Sequence, residues 1–466
     1  MVDPITDPEI LQGYLTDASN LPGHADALVR PRTTAEVAEV VAHCQAASLP
    51  LTVTAGRTST TGSAVPRGGW LLSTERMDAL IAASTDTATA QGGILLGALQ
   101  DQLAAMGRQY PPDPTSRHDC TLGASIATNA SGARSFRYGP TRPWVAGLEV
   151  VLPTGEIVQV TRDTPIPADW PVLQWTEPAV KTAAGYAPPR SLLDLFIGQE
   201  GTLGVITQAT VRLTDLPADV LGLLVFFGGR TTAVDAMRTL RRHARADPAG
   251  AVSPLCIEYL DHHCLALAEE RVRGVPGGAR AALFCEQAVG PSGADEHLAA
   301  WLAVLKESGA IVDETWVADD HAGRARLQAL RHAIPAGVNE RVLANGMPKI
   351  GTDLAVPDAG LDEMIALYEA APMEHVLFGH LGDNHLHLNL LPRTEAELVT
   401  ARAYYDQLAK RAIALGGTVS AEHGIGKLKR AQLSWMVGQP VLSQFAALKR
   451  HVDPAGVLGR GNILAL

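Results

Sequence analysis

The chain has 466 residues, more than one hydrophobic core accommodates, so at least two domains with room for a large cofactor are expected. Thirty-eight basic against forty-nine acidic residues leave a net charge of −11, and without a clustered Lys/Arg stripe nucleic acid is excluded as a partner. Five scattered cysteines (Cys44, Cys120, Cys256, Cys264, Cys285) form no C-x-x-C pair, which argues against a disulfide framework and for a reducing compartment. Met1 is followed by polar, acidic sequence, and the longest apolar stretch, Val220 to Phe227, is too short to span a bilayer. A soluble, cytoplasmic protein is expected, with peripheral membrane contact left open.

From Leu28 to about Leu213, helix-like segments such as Thr34–Ala47 alternate with short β-rich runs at Leu51–Ala55, Gly147–Leu152 and Glu156–Thr161, the pattern of an α+β fold. Pro153-Thr154-Gly155-Glu156 predicts a turn, so Leu148–Leu152 and Ile157–Val160 should form a hairpin. From about Pro217 to Leu415, helical stretches at Thr232–Ala244 and His297–Glu307 are interrupted by apolar strands at Ala281–Glu286 and Val376–His380. The tail from Val419 is expected to return to the first domain. No internal repeat stands out.

Neither G-x-G-x-x-G after a strand nor a Walker-type loop is present, so phosphates must be held another way. Thr54-Ala55-Gly56-Arg57-Thr58-Ser59-Thr60-Thr61-Gly62-Ser63-Ala64 follows a strand and could turn successive backbone N–H groups onto a pyrophosphate; in isolation it reads as a plain loop. Pro112-Asp113-Pro114 with Gly123 to Gly132 is denser in small residues than a core helix needs, and Gly198 to Ile206 precedes an apolar strand.

The histidine-rich segment carries a second signal. After Asn384, polar and apolar residues alternate, placing His385, His387 and Asn389 on one strand face and Leu386, Leu388 and Leu390 on the other. If 381–384 is a hairpin loop, His380 lies opposite His385 and diagonal to His387, a separation at which imidazoles can share one ion. Ser420-Ala421-Glu422-His423-Gly424-Ile425-Gly426 adds a carboxylate and another imidazole, enough for an open N/N/O metal site. His385 taken singly reads as a satisfied polar residue. His380, His387, Glu422 and His423 taken together read as metal binding or catalysis.

The Gly56–Ala64 loop, Pro112-Asp113-Pro114 with Asn129-Ala130-Ser131-Gly132, Tyr138-Gly139-Pro140-Thr141-Arg142, Gly185-Tyr186 and Gly198–Ile206 resemble, in order, the FAD-binding domain of the vanillyl-alcohol-oxidase type. The resemblance covers about residues 28–215. It implies that Gly56, Arg57, Thr58, Ser59, Thr60, Gly62 and Ser63 hold the pyrophosphate with Gly123, Ala124, Asn129, Ala130 and Gly132. It further implies that Pro112, Asp113, Tyr138 and Gly139 border the cofactor and that Glu200, Gly204 and Ile206 lie near the adenosine part. No histidine occupies the Gly56–Ala64 loop, where several relatives link the flavin, so non-covalent FAD is expected.

Gly379-His380-Leu381-Gly382-Asp383 with His387-Leu388-Asn389, and Ser420 to Gly426, resemble the two signatures of the FAD-linked D-lactate, D-2-hydroxyglutarate and glycolate dehydrogenases. That resemblance implies a divalent metal, with zinc expected, on His380, His387 and Glu422. It makes His423 the base, Asn389 a substrate contact and Arg331 the grip on the substrate carboxylate. The resulting division is an FAD-binding domain at 1–216, a substrate domain with metal ligands at 217–418, and a segment at 419–466 completing the active site and the FAD domain.

The expected reaction is oxidation of a D-2-hydroxy acid to the 2-oxo acid, with the C2 hydride passing to flavin N5 and the electrons then to a quinone, electron-transfer protein or cytochrome. A D-lactate-like substrate is expected ahead of 2-hydroxyglutarate or glycolate, and a homodimer is left open. A metallohydrolase would leave the flavin-like segments without purpose, and a non-catalytic flavin subunit would need neither ligands nor a base. Two departures stand out. Gly459-Arg460-Gly461-Asn462 replaces the family's Asn-Pro-Gly-Lys, and Pro335 and Gly351 stand where 2-hydroxyglutarate enzymes carry a threonine and a lysine, with Lys349 close by.

Overall fold

The computed structural model describes residues 2–290 and 293–466. The chain divides into two compact units: the first runs to Gly132 and adds Gly139–Leu216 and Thr418–Leu466, while the second comprises Ala133–Tyr138 and Pro217–Gly417. No helix among the described residues is long and apolar enough to cross a membrane.

In the first unit, β1 (Ala27–Val29), β2 (Leu51–Thr54) and β3 (Trp70–Ser73) form a parallel sheet in the order β1-β3-β2. The crossover between β1 and β2 carries α1 (Thr34–Ala46), whose Thr33 hydroxyl caps the Glu36 amide at 3.2 Å. Val37, Val40, Val41 and Cys44 recur at helical spacing and are all buried. A five-stranded antiparallel sheet follows, from β4 (Leu80–Ala83), β5 (Thr87–Gln91), β6 (Val145–Val151), β7 (Ile157–Thr161) and β8 (Val205–Arg212), in the order β4-β5-β8-β6-β7. The expected hairpin is β6–β7, with Leu148 opposite Val160 and Gly155 at φ +86 in the turn. A side chain at 155 would also meet Ala42 of α1 at 2.9 Å.

In the second unit, β9 (Asp219–Phe227), β10 (Pro254–Asp261), β11 (Ala281–Val289), β12 (Trp316–Ala318), β13 (Ile350–Gly351), β14 (Leu354–Ala355), β15 (His375–His380) and β16 (His385–Leu390) form one sheet. Its order is β12-β9-β11-β10-β15-β16-β13, with β14 also paired to β16. The apolar run Leu221–Phe227 is buried because β9 lies between two strands of this sheet. The expected helices appear as α2 (Arg230–Ala246) and α4 (Asp295–Glu307), with α3 (His262–Val272) between them and α5 (His321–Asn345) after them. α5 packs on α3, and Leu327, Leu330, Ile334 and Val338 join one apolar cluster with Phe226 and Phe284 of the sheet.

The C-terminal stretch is tied into the first unit by a buried cation. Lys449 Nζ donates to the Thr202 and Leu458 carbonyls at 2.6 and 2.8 Å and pairs with Asp453 at 2.5 Å. Asp453 in turn accepts the Val457 and Leu458 amides. Burial lowers the Lys449 pKa, and only this full set of partners holds the charge. Lys449→Met leaves Asp453 as an uncompensated buried carboxylate, so we expect a stability loss of about 3–5 kcal/mol in urea unfolding followed by intrinsic fluorescence. A loss below about 1 kcal/mol would show that the pair behaves as a solvent-exposed one.

Candidate active site

The first unit encloses a cavity of about 300 Å³. Its wall is built by three segments the sequence singles out: Ala55–Ser63, Pro114–Gly132 and Gln199–Ile206, joined by Glu422 and His423. Gly56, Arg57, Thr58, Ser59, Thr60, Ser63, Gly123, Ala124, Ala130, Gly132, Glu200, Gly204 and Ile206 all line it. Gly62, Pro112, Asp113, Asn129 and Gly139 belong to the same unit but are not among the lining residues. Asn129, at φ +49, accepts the Arg142 amide through its side chain at 2.9 Å; Gly62 offers its carbonyl to Lys427 and Pro112 its carbonyl to Gln100. Tyr138 ends the short helix Ser135–Tyr138, which belongs to the second unit.

The glycines act differently from a simple clearing of space for ligand. A Cβ at Gly56 would lie 1.8 Å from the Asp119 carbonyl oxygen, and one at Gly132 would lie 1.9 Å from that of Asp113. Glycine is required here because backbone packs on backbone, which locks the loops that form the wall. Within the first loop, Ser59 Oγ accepts the Thr61 and Ser63 amides at 3.2 and 3.4 Å, and Arg57 sits at φ +57. The small residues, hydroxyls and turned backbone fit a large phosphate-bearing cofactor.

Glu200 and Asn462 hold the tail segments against this wall. The Glu200 carboxylate accepts the Ile425 and Gly426 amides at 2.8 and 2.7 Å. Complete burial pushes its carboxyl up to about 7, against the lowering effect of those two amides and of Lys429 and Lys427. Asn462 accepts from Lys427 Nζ at 2.6 Å and donates to the Ser63 and Glu200 carbonyls. The departure from Asn-Pro-Gly-Lys has a local reason at its first position: Gly459 is at φ +56, and a Cβ there would lie 2.7 Å from the Gly201 carbonyl oxygen.

At the cavity wall, Glu422 is mostly buried and accepts from Ser131 Oγ at 2.9 Å and Lys181 Nζ at 3.3 Å, with His423 Nε2 3.5 Å from its other oxygen. Lys181 and Ser131 were not singled out as site residues by the sequence. Lys181 is far from Glu422 along the chain and carries no motif of its own. Its signal is tertiary: a lysine side chain only 5% exposed needs an acidic or multiply accepting partner.

In the second unit the hairpin β15–β16 pairs His380 with His385 and Phe378 with His387, so His380 is diagonal to His387 as the alternation predicts. The connection 381–384 is a 3₁₀ turn closed by Asn384 at φ +53. Gly379, at φ +134, must be glycine, since a Cβ would lie 2.9 Å from His387 Cδ2. His380 Nδ1 lies 2.7 Å from Glu258 Oε1, and His387 Nδ1 lies 3.0 Å from the Thr352 carbonyl oxygen. An imidazole whose Nδ1–H is donated to an oxygen carries its lone pair on Nε2, the protonation pattern of a metal ligand. These two side chains therefore fit a divalent ion. Asn389 is buried opposite Gly351, where a Cβ would come within 3.4 Å of its Oδ1. Arg331 lies on α5 with its guanidinium 5.1 Å from the Phe284 ring centre.

Residues 25–161 match the profile of an FAD binding domain, and residues 217–463 match that of the C-terminal domain of FAD linked oxidases. D-2-hydroxyglutarate dehydrogenase, mitochondrial, from Bos taurus is 31% identical over 466 residues, covering 97% of this chain and 80% of its own. A D-lactate dehydrogenase from Archaeoglobus fulgidus is 30% identical over 450 residues, covering 94% of this chain and 91% of its own. Among solved structures, alkyldihydroxyacetonephosphate synthase superposes with a TM-score of 0.71 at 17% identity, covering 98% of this chain and 81% of its own. At that identity the likeness is one of fold.

Glu200 provides a pH test of how the tail is held. Its pKa in the fold, about 7, exceeds its ordinary 4.5, so the group's contribution is fully present below pH 4.5 and is lost as pH rises through 7. Glu200→Gln should remove this slope from the stability profile between those values. It should also lower stability by about 1–3 kcal/mol, because Ile425 and Gly426 donate to different oxygens of Glu200 and glutamine replaces one of these acceptors by an NH2 donor. An unchanged slope in chemical denaturation across that window would exclude Glu200 as its source.

Proposed function

The chain belongs to the FAD-linked oxidase family and is an FAD-dependent oxidoreductase, and on that premise we propose that it oxidises a D-2-hydroxy monocarboxylate of the D-lactate class to the 2-oxo acid. The observation that carries the reading is the pair His380 and His387, each with Nδ1 held by an oxygen acceptor, on a chain related to named D-lactate and D-2-hydroxyglutarate dehydrogenases.

His380 and His387 would hold a divalent metal, with zinc suiting the nitrogen donors and Glu422 supplying the carboxylate. When bound, FAD supplies the hydride acceptor and the metal the Lewis acidity that lowers the pKa of the substrate hydroxyl. His423 takes the hydroxyl proton on its imidazole, whose ordinary pKa near neutrality suits a base. Arg331 grips the substrate carboxylate through a bidentate pair that a simple alcohol cannot make, and Asn389 contacts the bound acid.

Substrate size follows from what stands beside Asn389. Gly351, its cross-strand neighbour, offers no cation, and Pro335 on α5 offers neither hydroxyl nor amide donor. A distal carboxylate would have only Lys349 nearby in the sequence, and leaving such a charge unpaired in a partly buried site is costly. A tenfold preference requires only about 1.4 kcal/mol.

Anaerobic flavin bleaching tests the reading: D-lactate or a related monocarboxylate should give a higher kcat/KM than D-2-hydroxyglutarate, and L-2-hydroxy acids should be inert. A preference for 2-hydroxyglutarate that survives Lys349→Ala would overturn the assignment of these pocket residues. His380→Ala and Glu422→Ala should abolish turnover and metal content while FAD stays bound; equal loss of FAD would count against separate sites. Acid denaturation should release intact FAD into the supernatant, because the Gly56–Ala64 loop has no histidine to link it. Flavin retained in the protein pellet would contradict non-covalent binding.

A further inference from the structure

His385 stands in the second unit as the cross-strand partner of His380, with its side chain completely buried. Its ring centre is 5.3 Å from that of His380 and 4.4 Å from that of His387, and the latter two are 5.5 Å apart. One ring nitrogen from each of the three lies within 4.8 Å of those from the other two. Three ring nitrogens this close to one another have the spacing of donors that share one cation.

The backing of each ring points the same way. His380 Nδ1 meets Glu258, His387 Nδ1 meets the Thr352 carbonyl, and His385 Nε2 meets Asp353 Oδ1 at 2.9 Å. Asp353 is 1% exposed at its side chain. An oxygen acceptor fixes a proton on the nitrogen that donates to it, so the lone pair lies on Nε2 of His380 and His387. At His385 the Asp353 carboxylate stands at ion-pair distance from Nε2 and favours a proton there, which leaves Nδ1 as the donor nitrogen. Thr352 and Asp353 are consecutive, so one short segment orients two of the three rings.

We infer that His385 is a third imidazole donor to the metal ion and that Asp353 is its positioning carboxylate. The inference rests on the metal reading of His380 and His387 given above. A purely structural His385 would serve only to satisfy Asp353, a task an asparagine amide can also perform. His385→Asn therefore separates the two roles.

The flavin-loaded full chain, stripped with a chelator and titrated with Co²⁺, decides it. In water, the proton NMR spectrum of the wild-type Co²⁺ form should show three exchangeable, hyperfine-shifted imidazole N–H signals, one for each backed ring. His385→Asn should lose one of these signals, change the visible d–d band and weaken Co²⁺ binding at least tenfold. Asp353→Asn should keep three ligands but bind about 10- to 100-fold more weakly. Two N–H signals in the wild type, or wild-type affinity and an unchanged band in His385→Asn, would overturn the inference. If His380→Ala alone abolishes Co²⁺ binding, the metal reading stands and only the third donor fails; if the wild type binds no Co²⁺, both fail. Should His385→Asn lose FAD or its cooperative melt, the wild-type signal count is decisive by itself.

Discussion

Backbone packed directly on backbone at glycine is the constraint on which the cofactor cavity depends. Gly56 against Asp119, Gly132 against Asp113, Gly426 against Thr61 and Gly459 against Gly201 are contacts in which a single methyl group would force the chains apart. Each joins segments distant in sequence, so the wall is assembled by elimination of side chains as much as by attraction between them. The hydrogen bonds of Glu200 and Asn462 then act on loops already in close register. They draw the Ile425, Gly426, Ser63 and Lys427 groups into one network. A buried carboxylate that accepts two amides fixes direction as well as distance, which is what a wall made of irregular backbone needs.

The histidine hairpin of the second unit follows a different logic. Strand pairing sets the spacing of the imidazoles, and the residues behind them set their tautomers. Glu258 comes from β10 and Thr352 with Asp353 from the segment between β13 and β14, so the protonation pattern is written by neighbours in the sheet rather than by the motif itself. Gly379 makes room for His387, while Asn384, in a left-handed turn, is anchored to Arg241 and Asp358. The turn is thus held by charged partners from α2 and from the loop before Leu361.

On the proposed reading, substrate choice would rest on a smaller set of contacts than family membership does. The FAD-binding profile and the oxidase C-terminal profile between them span most of the chain, whereas on that reading the preference between a monocarboxylate and a dicarboxylate would turn on groups such as those at 335, 349 and 351. Gly351 is paired with Asn389 on the neighbouring strand, so a side chain introduced at that position would stand directly beside the Asn389 amide. This is the usual separation between a scaffold that many sequences share and a pocket that few residues specify.

The sequence alone determined the periodic elements and the chemistry of the main segments. Helical spacing placed Val37, Val40, Val41 and Cys44 on one face, alternation put His385 and His387 on one side of a strand, and Pro153-Thr154-Gly155 announced its hairpin. These are local regularities, repeated within a few residues, and local backbone geometry enforces them. The glycine-rich loops and the Glu422-His423 pair were legible through their resemblance to a flavoenzyme family. Tertiary structure alone decided that the glycines serve backbone packing, that Lys181 and Ser131 sit on Glu422, and that Asp353 faces His385. It also drew six residues, Ala133–Tyr138, out of the first unit's sequence and into the second. Such contacts join positions tens to hundreds of residues apart, and nothing in the local pattern of either partner encodes them until the chain has closed the loops between.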